Sequence, residues 1–388
     1  MVCPLLPRIA SRAALVLVST IFAIGLFEVS VRIFKVHYEI NPFWKYHPVI
    51  GWSQVPNKSY HYWLDGKEIR VAFNSRGFHD VEHPLRKPSG TKRIVVVGDS
   101  FAEALQVNLD ETFFRRLEVK LNQCGSRTWE AINLGVGDFG TTQEWVALTQ
   151  IGLNYSPDVV ICQIFPLNDI CNNTLELCDL CKSVNDRYRP YFTLSDGELH
   201  LTSAQPVRNF LRRYFVSYGV AEHKILKSRR QTQEADLERF YEQRSQEMGL
   251  APLGPLLYTY VSDQDQPEII SHGWRITEKI FEKMIFFCRE KNIQFIPVVV
   301  PFEPCVRAKS WKAFTAADPS RKMVRDYPEQ RLGRLFGRLG VPCVFLNEPF
   351  EQNSDRVLPY IGGHFNAEGH RVTAEALYSK MVELGLAH

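Results

Sequence analysis

The sequence predicts an α/β protein: a doubly wound, five-stranded parallel sheet flanked by helices, with an N-terminal transmembrane helix and an inserted helical or loop segment. Three observations predict this class. Short apolar runs rich in β-branched residues are typical of buried parallel strands. Amphipathic stretches alternate with these runs, as crossover helices do in a parallel sheet. An uncharged run near the N-terminus predicts the membrane helix.

The N-terminal run is free of charge over residues 13–27. Extended through Phe34, it reaches the ~20 residues that a membrane span needs. Arg8 and Arg12 precede it, which predicts an inside N-terminus and a chain body outside the cytoplasm. No small-residue cleavage site follows, so an uncleaved signal anchor is favoured over a removed signal peptide. A buried core helix is the remaining alternative.

The chain divides into three regions by composition. Residues 1–35 are the anchor region, and residues 36–90 are a lead-in segment, rich in aromatic and turn residues, that we expect to pack on the sheet as short strands. Residues 91–388 hold the sheet, interrupted by an insertion at 171–271. Such insertions over a ligand-binding face select ligands, although the charged stretch 231–248 is equally explained as a solvated helix.

Five apolar runs are the predicted strands. They are residues 93–97, 131–136, 158–165, 293–300 and 341–346, and residues 274–291 and 371–384 have helical periodicity. Strands that alternate with helices predict a flavodoxin-like, doubly wound sheet. Pro297 lies in the fourth run and is easier to place at a sheet edge, because proline lacks an N–H.

Small and polar residues follow three of these runs, where open α/β sheets bind ligands. A serine hydroxyl is a weak nucleophile until a base takes its proton, and a tetrahedral oxyanion needs preorganised N–H donors. Gly-Asp-Ser is also a common turn and helix cap without chemistry. The small and polar segments that follow the three runs are Gly98-Asp99-Ser100, Gly137-Asp138 and Asn168-Asp169. A histidine, His364, lies in a predicted loop near the C-terminus.

In order and spacing these segments resemble the blocks of the SGNH hydrolases, also called GDSL-type esterases. The resemblance covers residues 70–170 and 272–388, and it takes residues 133–140 as the second block. It implies a serine ester hydrolase or O-acyltransferase that needs no metal and no organic cofactor. Anchoring and resemblance together favour an ester-bearing substrate outside the cytoplasm, such as an acetylated envelope polysaccharide.

The resemblance also implies a role for each residue. Ser100 would be the nucleophile and His364 the general base. The oxyanion hole would be formed by the Ser100 N–H, a backbone N–H from Gly137-Asp138 and the Asn168 amide. Asp99 and Asp169 would shape the turns that present Ser100 and Asn168.

Two departures from the family pattern concern mechanism. The family places an aspartate three residues before the histidine, but this chain has Ile361 there. A carboxylate from elsewhere, a backbone carbonyl or no third group at all would then serve the histidine. The candidate carboxylates are Glu348, Glu351, Asp355 and Glu368. Asp138 occupies a slot that is usually glycine, so its side chain should point away from an oxyanion.

His370 competes with His364 for the role of base. We favour His364 because of the family spacing and because a loop histidine can lean over the sheet, whereas His370 begins a helical pattern. The departures also motivate an alternative of another class, a catalytically silent binding or assembly protein. A cytosolic enzyme with a buried N-terminal helix is a third possibility.

Charge and cysteine content constrain the partners and the compartment. A net charge of +3 with interspersed acidic and basic residues argues against a nucleic-acid partner. Of the nine cysteines, Cys3 would lie inside and the others outside, where disulfides persist. Cys171, Cys178 and Cys181 cluster in the insertion, where a disulfide and free thiols are both open.

Overall fold

The computed structural model describes the chain in ten stretches. They are residues 5–34, 43–125, 127–180, 188–203, 205–222, 224–225, 256–316, 322–353, 360–361 and 363–387. Four features singled out from the sequence lie outside the described residues: Cys3, Cys181, the charged stretch 231–248 and Asp355.

A long helix, α1 (Leu5–Ile33), forms the N-terminal region. Its stretch Arg12–Ile33 has 22 residues and a mean hydropathy of 2.2. At about 1.5 Å per residue this stretch is ~33 Å long, enough to cross the ~30 Å hydrocarbon core of a bilayer. Leu15 and Phe22 are 68% and 67% exposed, so the alternative of a buried core helix is wrong. By length and composition, α1 suits a membrane anchor or a signal sequence.

The lead-in segment forms two antiparallel hairpins. Strands β1 (Trp44–His47) and β2 (Gly51–Gln54) make the first, and β3 (Ser59–Leu64) and β4 (Lys67–Ala72) make the second. Every residue of β2 is buried, and the Trp52 ring packs edge-on against the Phe139 ring at 5.5 Å. The first hairpin therefore contacts the loop that holds Gly137-Asp138.

The remaining strands include the central sheet. In chain order they are β5 (Thr91–Val97), β6 (Thr128–Asn133), β7 (Val159–Ile164), β8 (Pro190–Ser195), β9 (Glu198–Ser203), β10 (Gln294–Val299), β11 (Val344–Phe345), β12 (Tyr360–Ile361) and β13 (His364–Phe365). Five of them pair in parallel in the order β11-β10-β7-β5-β6. The predicted flavodoxin-like sheet is confirmed, because the first strand lies between the second and the third.

Further helices follow α1 among the described residues. They are α2 (Ser100–Glu103), α3 (Phe113–Cys124), α4 (Thr141–Gln150), α5 (Pro166–Asn172), α6 (Leu175–Leu180), α7 (Pro206–Tyr214), α8 (Glu268–Glu290), α9 (Ala308–Thr315), α10 (Tyr327–Arg338), α11 (Asn347–Asn353) and α12 (Ala367–Glu383). Short 3₁₀ turns lie at Leu109–Glu111, Gly152–Tyr155, Leu257–Tyr260 and Glu303–Cys305, and residues 216–222 are also helical.

Alternation along β5 builds an apolar core on each face of the sheet. Val95 and Val97 belong to one core with Trp274 of α8, whereas Val96 belongs to the other with Leu117 of α3 and Leu377 of α12. Because both faces are covered, the strands are buried on both sides, which explains their continuous apolar sequence.

Pro297 is tolerated in β10 because of the shortness of β11. The Gln294 and Val300 N–H groups both donate toward β7, so the intervening odd-numbered residues face β11. β11 pairs only with Val298 and Val299, which leaves the Pro297 nitrogen on an open side of the strand. The fifth strand is thus shorter than the predicted run 341–346.

The insertion is described in part. It contributes α6, the β8–β9 hairpin and α7, and its Cys171 and Cys178 are buried. Cys171 and Cys178 form no disulfide with each other, and because Cys181 lies outside the described residues, a disulfide in the insertion stays a prediction.

His370 lies in the interior of the domain rather than beside Ser100. Its Nδ1 accepts the Phe113 N–H at 3.2 Å, and its ring stacks on the Phe113 ring at 5.9 Å. Phe113 begins α3, so His370 satisfies one of the N–H groups that a helix start leaves unpaired. Burial lowers the pKa of His370 to about 3, since the charged imidazole loses its hydration.

This histidine should make the fold sensitive to acid. Its folded pKa is below the unfolded value of ~6.5, so the unfolded chain binds more protons and stability falls as the pH drops through 6.5 toward 3. Between pH 7 and pH 5 the expected loss from His370 is about 2 kcal/mol of unfolding free energy. Denaturant unfolding of wild type and His370→Gln at both pH values measures it. An equal pH effect in the two proteins would contradict this role.

Candidate active site

Ser100 is presented by a turn at the carboxyl end of β5. The Asp99 carboxylate accepts the Phe101 N–H at 2.9 Å and so caps α2, whose first residue is Ser100. Ser100 therefore lies at a helix start, where backbone N–H groups point out of the helix. In the described part of the chain, its N–H donates to no protein acceptor. The turn thus offers both a hydroxyl and an N–H at the same point.

His364 reaches this hydroxyl from the C-terminal hairpin. It lies in β13, opposite Ile361 of β12, and its Nε2 is 2.9 Å from the Ser100 Oγ. The imidazole packs on the Phe101 ring at a centroid distance of 5.2 Å. This separation is that of a hydrogen-bonded nucleophile and base, in which the hydroxyl donates to an unprotonated Nε2.

Asn168 lies beside the same turn, at the start of α5 after β7. Its side-chain amide donates one N–H to the Asp99 carboxylate at 2.9 Å. Its second amide N–H meets no acceptor within the described ranges. Asp99 is fully buried, and burial raises its pKa to about 6. The hydrogen bond to Asp99 therefore fixes the amide next to Ser100 with one donor left over.

The loop after β6 follows close to α2. An added Cβ at Gly135 would lie 2.4 Å from the Ala102 Cβ, and one at Gly137 would lie 2.6 Å from the Glu103 carboxylate. Side chains at either position would push the loop off the nucleophile turn. Asp138 has φ +63°, a left-handed conformation that aspartate adopts more readily than most residues. The glycine slot is thus filled without loss of the backbone geometry.

The Asp138 carboxylate is held by side chains from other elements. Its Oδ2 lies 3.1 Å from the Arg189 guanidinium, and its Oδ1 accepts from the Asn172 amide at 3.2 Å. Arg189 is fully buried, stacks over the Trp52 ring at 4.9 Å and also donates to the Asp138 carbonyl at 2.7 Å. The guanidinium compensates the carboxylate charge, which would otherwise oppose an oxyanion nearby.

Asp169 braces the turn that carries Asn168. Its carboxylate accepts the Phe165 N–H and the Thr141 hydroxyl, both at 2.8 Å. It is buried with Glu144, and burial raises the pKa of both carboxyl groups. The bond to Thr141 joins α5 to the first residue of α4. It therefore holds the turn with Asn168-Asp169 against the segment that follows Gly137-Asp138.

Glu103 is a buried residue of this region that sequence reasoning missed. Its carboxylate accepts from the Trp44 indole at 2.7 Å, the Gln54 amide at 2.9 Å and the Gly137 N–H. Burial raises its pKa to about 7. The Gly137 N–H is therefore engaged by Glu103. Nothing in the sequence near Ser100 indicates that this glutamate is buried.

The structure places the candidate orienting carboxylates as follows. Glu368 pairs with Arg371 at 2.6 Å, and Glu351 pairs with Arg325 at 3.1 Å. Glu348 accepts from the Gln352 amide at 2.9 Å. Asp355 lies outside the described residues, so the group that orients His364 stays open. Among the residues that the structure describes, no cluster of three or more histidine, cysteine or acidic side chains could hold a metal ion.

A groove of about 460 Å³ adjoins the histidine hairpin. Ile361 and Asn366 flank His364 and line it. Polar side chains form much of the rest of its wall: Asp65, Lys67, Gln106, Arg116, Glu368 and Arg371. The wall of the groove thus mixes donors, acceptors and apolar side chains.

Fold and site together define an α/β protein whose serine and histidine meet at the carboxyl end of a parallel sheet. No protein-family model and no curated protein sequence matches the chain. Similar solved structures include TesA, at 9% identity over 76% of this chain and 99% of that one, with a TM-score of 0.39. A lipase/acylhydrolase from Enterococcus faecalis has 12% identity, 76% and 96% coverage and a TM-score of 0.38. A catalytic mutant of an acetylxylan esterase from Geobacillus stearothermophilus has 10% identity, 75% and 94% coverage and a TM-score of 0.38.

Two of these names, the lipase/acylhydrolase and the acetylxylan esterase, are those of ester hydrolases. At TM-scores below 0.5, function is inferred from the site rather than from these structures.

Proposed function

We propose that this protein is a membrane-anchored serine ester hydrolase or O-acyltransferase of the SGNH type. The observation that carries the proposal is the 2.9 Å contact between the Ser100 Oγ and the His364 Nε2 at the carboxyl end of β5. Residues 264 positions apart are brought to hydrogen-bond distance at the place where such sheets bind ligands. In this reading α1 is the anchor, and the body of the chain lies outside the cytoplasm.

The geometry supports a two-step acyl transfer. The Ser100 Oγ attacks the acyl carbonyl carbon as its proton passes to the His364 Nε2, and the carbonyl electron pair moves onto oxygen. The Ser100 N–H, the Asp138 N–H and the second N–H of Asn168 are the donors for that oxyanion. Collapse of the intermediate breaks the ester C–O bond, and the imidazolium returns its proton to the leaving alcohol. Water or a sugar hydroxyl then accepts the acyl group in the reverse sequence.

Two features support a proposal for the substrate class. The groove beside the hairpin combines polar and apolar side chains, as a carbohydrate site does, and the anchor would hold the site at the envelope. We therefore propose a short acyl ester, such as acetyl, on a polysaccharide.

A fluorophosphonate probe tests the proposal, because it reacts with serines that a base activates. We expect full-length wild type to be labelled at Ser100, as mapped by peptide mass spectrometry. His364→Gln should react roughly 10²–10⁴-fold more slowly, since it lacks the base. His370→Gln, whose parent side chain contacts Phe113 instead, serves as the matched control and should label like wild type.

The other candidate is a silent binding or assembly protein that keeps this fold. Ile361, in the place of the family's acid, is the observation that favours it. A folded wild-type protein that the probe leaves unlabelled would support this candidate and overturn the enzyme.

A further inference from the structure

On helix α7 the apolar face points outward and the face with a buried arginine points inward, the reverse of what is usual for a helix on a soluble protein. Val207, Phe210 and Tyr214 lie on one face, at helical spacing, and are 72%, 58% and 51% exposed. The opposite face turns Arg212, only 3% exposed, toward the body of the protein. A helix that packs on a soluble domain normally buries its apolar stripe. The outward face of α7 is therefore built for apolar surroundings.

On the inward face, Arg212 makes polar contacts with neighbouring elements. The Arg212 guanidinium pairs with Glu222 at 2.6 Å and lies 4.8 Å from the centre of the Tyr188 ring. These contacts fix the rotation of α7, so Phe210 and Tyr214, whose rings touch at 4.7 Å, cannot turn inward without breaking a buried ion pair.

The same helix ends against the last turns of α1. The Arg32 guanidinium donates to the Tyr214 carbonyl at 2.6 Å. The Glu28 carboxylate accepts the Val216 N–H at 3.0 Å and the Ser217 N–H at 2.9 Å. These bonds close the end of α7 and cap the helical residues that follow it. The end of α7 therefore lies against the part of α1 that belongs to the candidate membrane span.

The position along α1 matches the depth of a membrane interface. Glu28 is five residues before Ile33, the end of the candidate span, which is about 7.5 Å at 1.5 Å per residue. Interfacial helices bury their apolar face ~5–10 Å into the boundary between headgroups and acyl chains. Arg213, exposed and over the Tyr214 ring, could keep its guanidinium at the headgroups while its stem lies on apolar surface.

We propose that α7 lies in the membrane interface beside the end of α1, with Val207, Phe210 and Tyr214 in contact with lipid. The proposal rests on the proposed anchoring by α1. A lipid surface is the occupant rather than a second copy of the chain, because a bilayer crossed by α1 ends at the level where α7 is attached. The insertion would then hold the domain at a fixed height and tilt above the membrane.

Photo-crosslinking in vesicles tests this placement. Full-length protein carrying p-benzoylphenylalanine at position 210, or separately at 207, is reconstituted into phosphatidylcholine–phosphatidylglycerol vesicles and irradiated. The same residue at position 63 is the control, because Trp63 is 74% exposed but belongs to the lead-in hairpin. We expect lipid adducts with the probe at position 210 or 207 and none with the probe at position 63. All three sites are on the surface, so the substitutions leave no cavity.

Flotation of the same samples separates the possible failures. A chain that does not float with the vesicles overturns the anchor and the interfacial helix together. A chain that floats without lipid adducts at 210 and 207 overturns the interfacial helix alone. Adducts to a second copy in place of lipid show that the face is a protein interface, which also overturns the proposal.

Discussion

Ser100→Ala is expected to lower ester turnover by a factor of roughly 10⁴–10⁶, because the proposed mechanism has no other nucleophile. Removal of the hydroxyl should leave the fold intact, since α2 is capped by Asp99 and the only side-chain partner of Ser100 among the described residues is His364. Hydrolysis of p-nitrophenyl acetate by purified full-length protein measures the effect. An unchanged denaturation midpoint would show that the loss is chemical.

Ser75→Ala provides a matched control for this experiment. Ser75 is exposed and its hydroxyl donates to Glu82, away from the sheet end, so turnover should stay at the wild-type level. If Ser100→Ala instead retained wild-type turnover, Ser100 would not be the nucleophile. The short contact with His364 would then be structural.

The part of the site that follows strands was readable from the sequence. Runs such as residues 93–97 predict buried strands, and the topology of a doubly wound sheet places their carboxyl ends at one edge. The proximity of Ser100 and Asn168 could therefore be predicted, because each follows a strand that the local sequence identifies. The contact of His364 with Ser100 was predicted from the resemblance alone, because no local signal says how a segment 264 residues away in the sequence folds back.

The supporting contacts were not readable in the same way. Trp44 and Gln54, which bind Glu103, lie in the lead-in hairpins, and Arg189, which pairs with Asp138, lies in the insertion. Each contact joins two segments that are distant in the sequence, and the hydrophobic periodicity of neither segment indicates that the two pack together. A buried arginine has no pattern until its carboxylate partner is known. The Asp138 side chain could be expected to avoid an oxyanion, but not to be neutralised by Arg189.

These contacts give a physical role to the two regions outside the central sheet, the lead-in segment and the insertion. The lead-in hairpin and the insertion both contact the loop at Gly137-Asp138. From the hairpin, Trp52 donates its indole N–H to the Gly137 carbonyl at 3.0 Å. From the insertion, Arg189 pairs with the Asp138 carboxylate. Preorganised donors contribute to catalysis only when their positions cost no rearrangement in the transition state. A loop braced in this way meets that condition.

Asn168→Ala is expected to reduce turnover by roughly 10²–10³, with KM little changed, because an oxyanion donor acts in the transition state and not on the bound ester. The geometry fits this role: one amide N–H donates to Asp99, and the other has no acceptor among the residues that the structure describes. Steady-state kinetics on p-nitrophenyl acetate separates the two parameters. Asn154→Ala, whose parent amide is exposed and donates to the Gln150 carbonyl, is the control and should behave as wild type.

A double variant decides whether Asn168 works with Ser100 or merely supports the fold. If the amide stabilises an oxyanion formed by Ser100 attack, then adding Asn168→Ala to Ser100→Ala should cost much less than 10²-fold, because residues that act as a unit are non-additive. A structural role would lower both backgrounds by the same factor and would also lower the denaturation midpoint. A rise in KM alone, with turnover unchanged, would place Asn168 in substrate binding instead of oxyanion stabilisation.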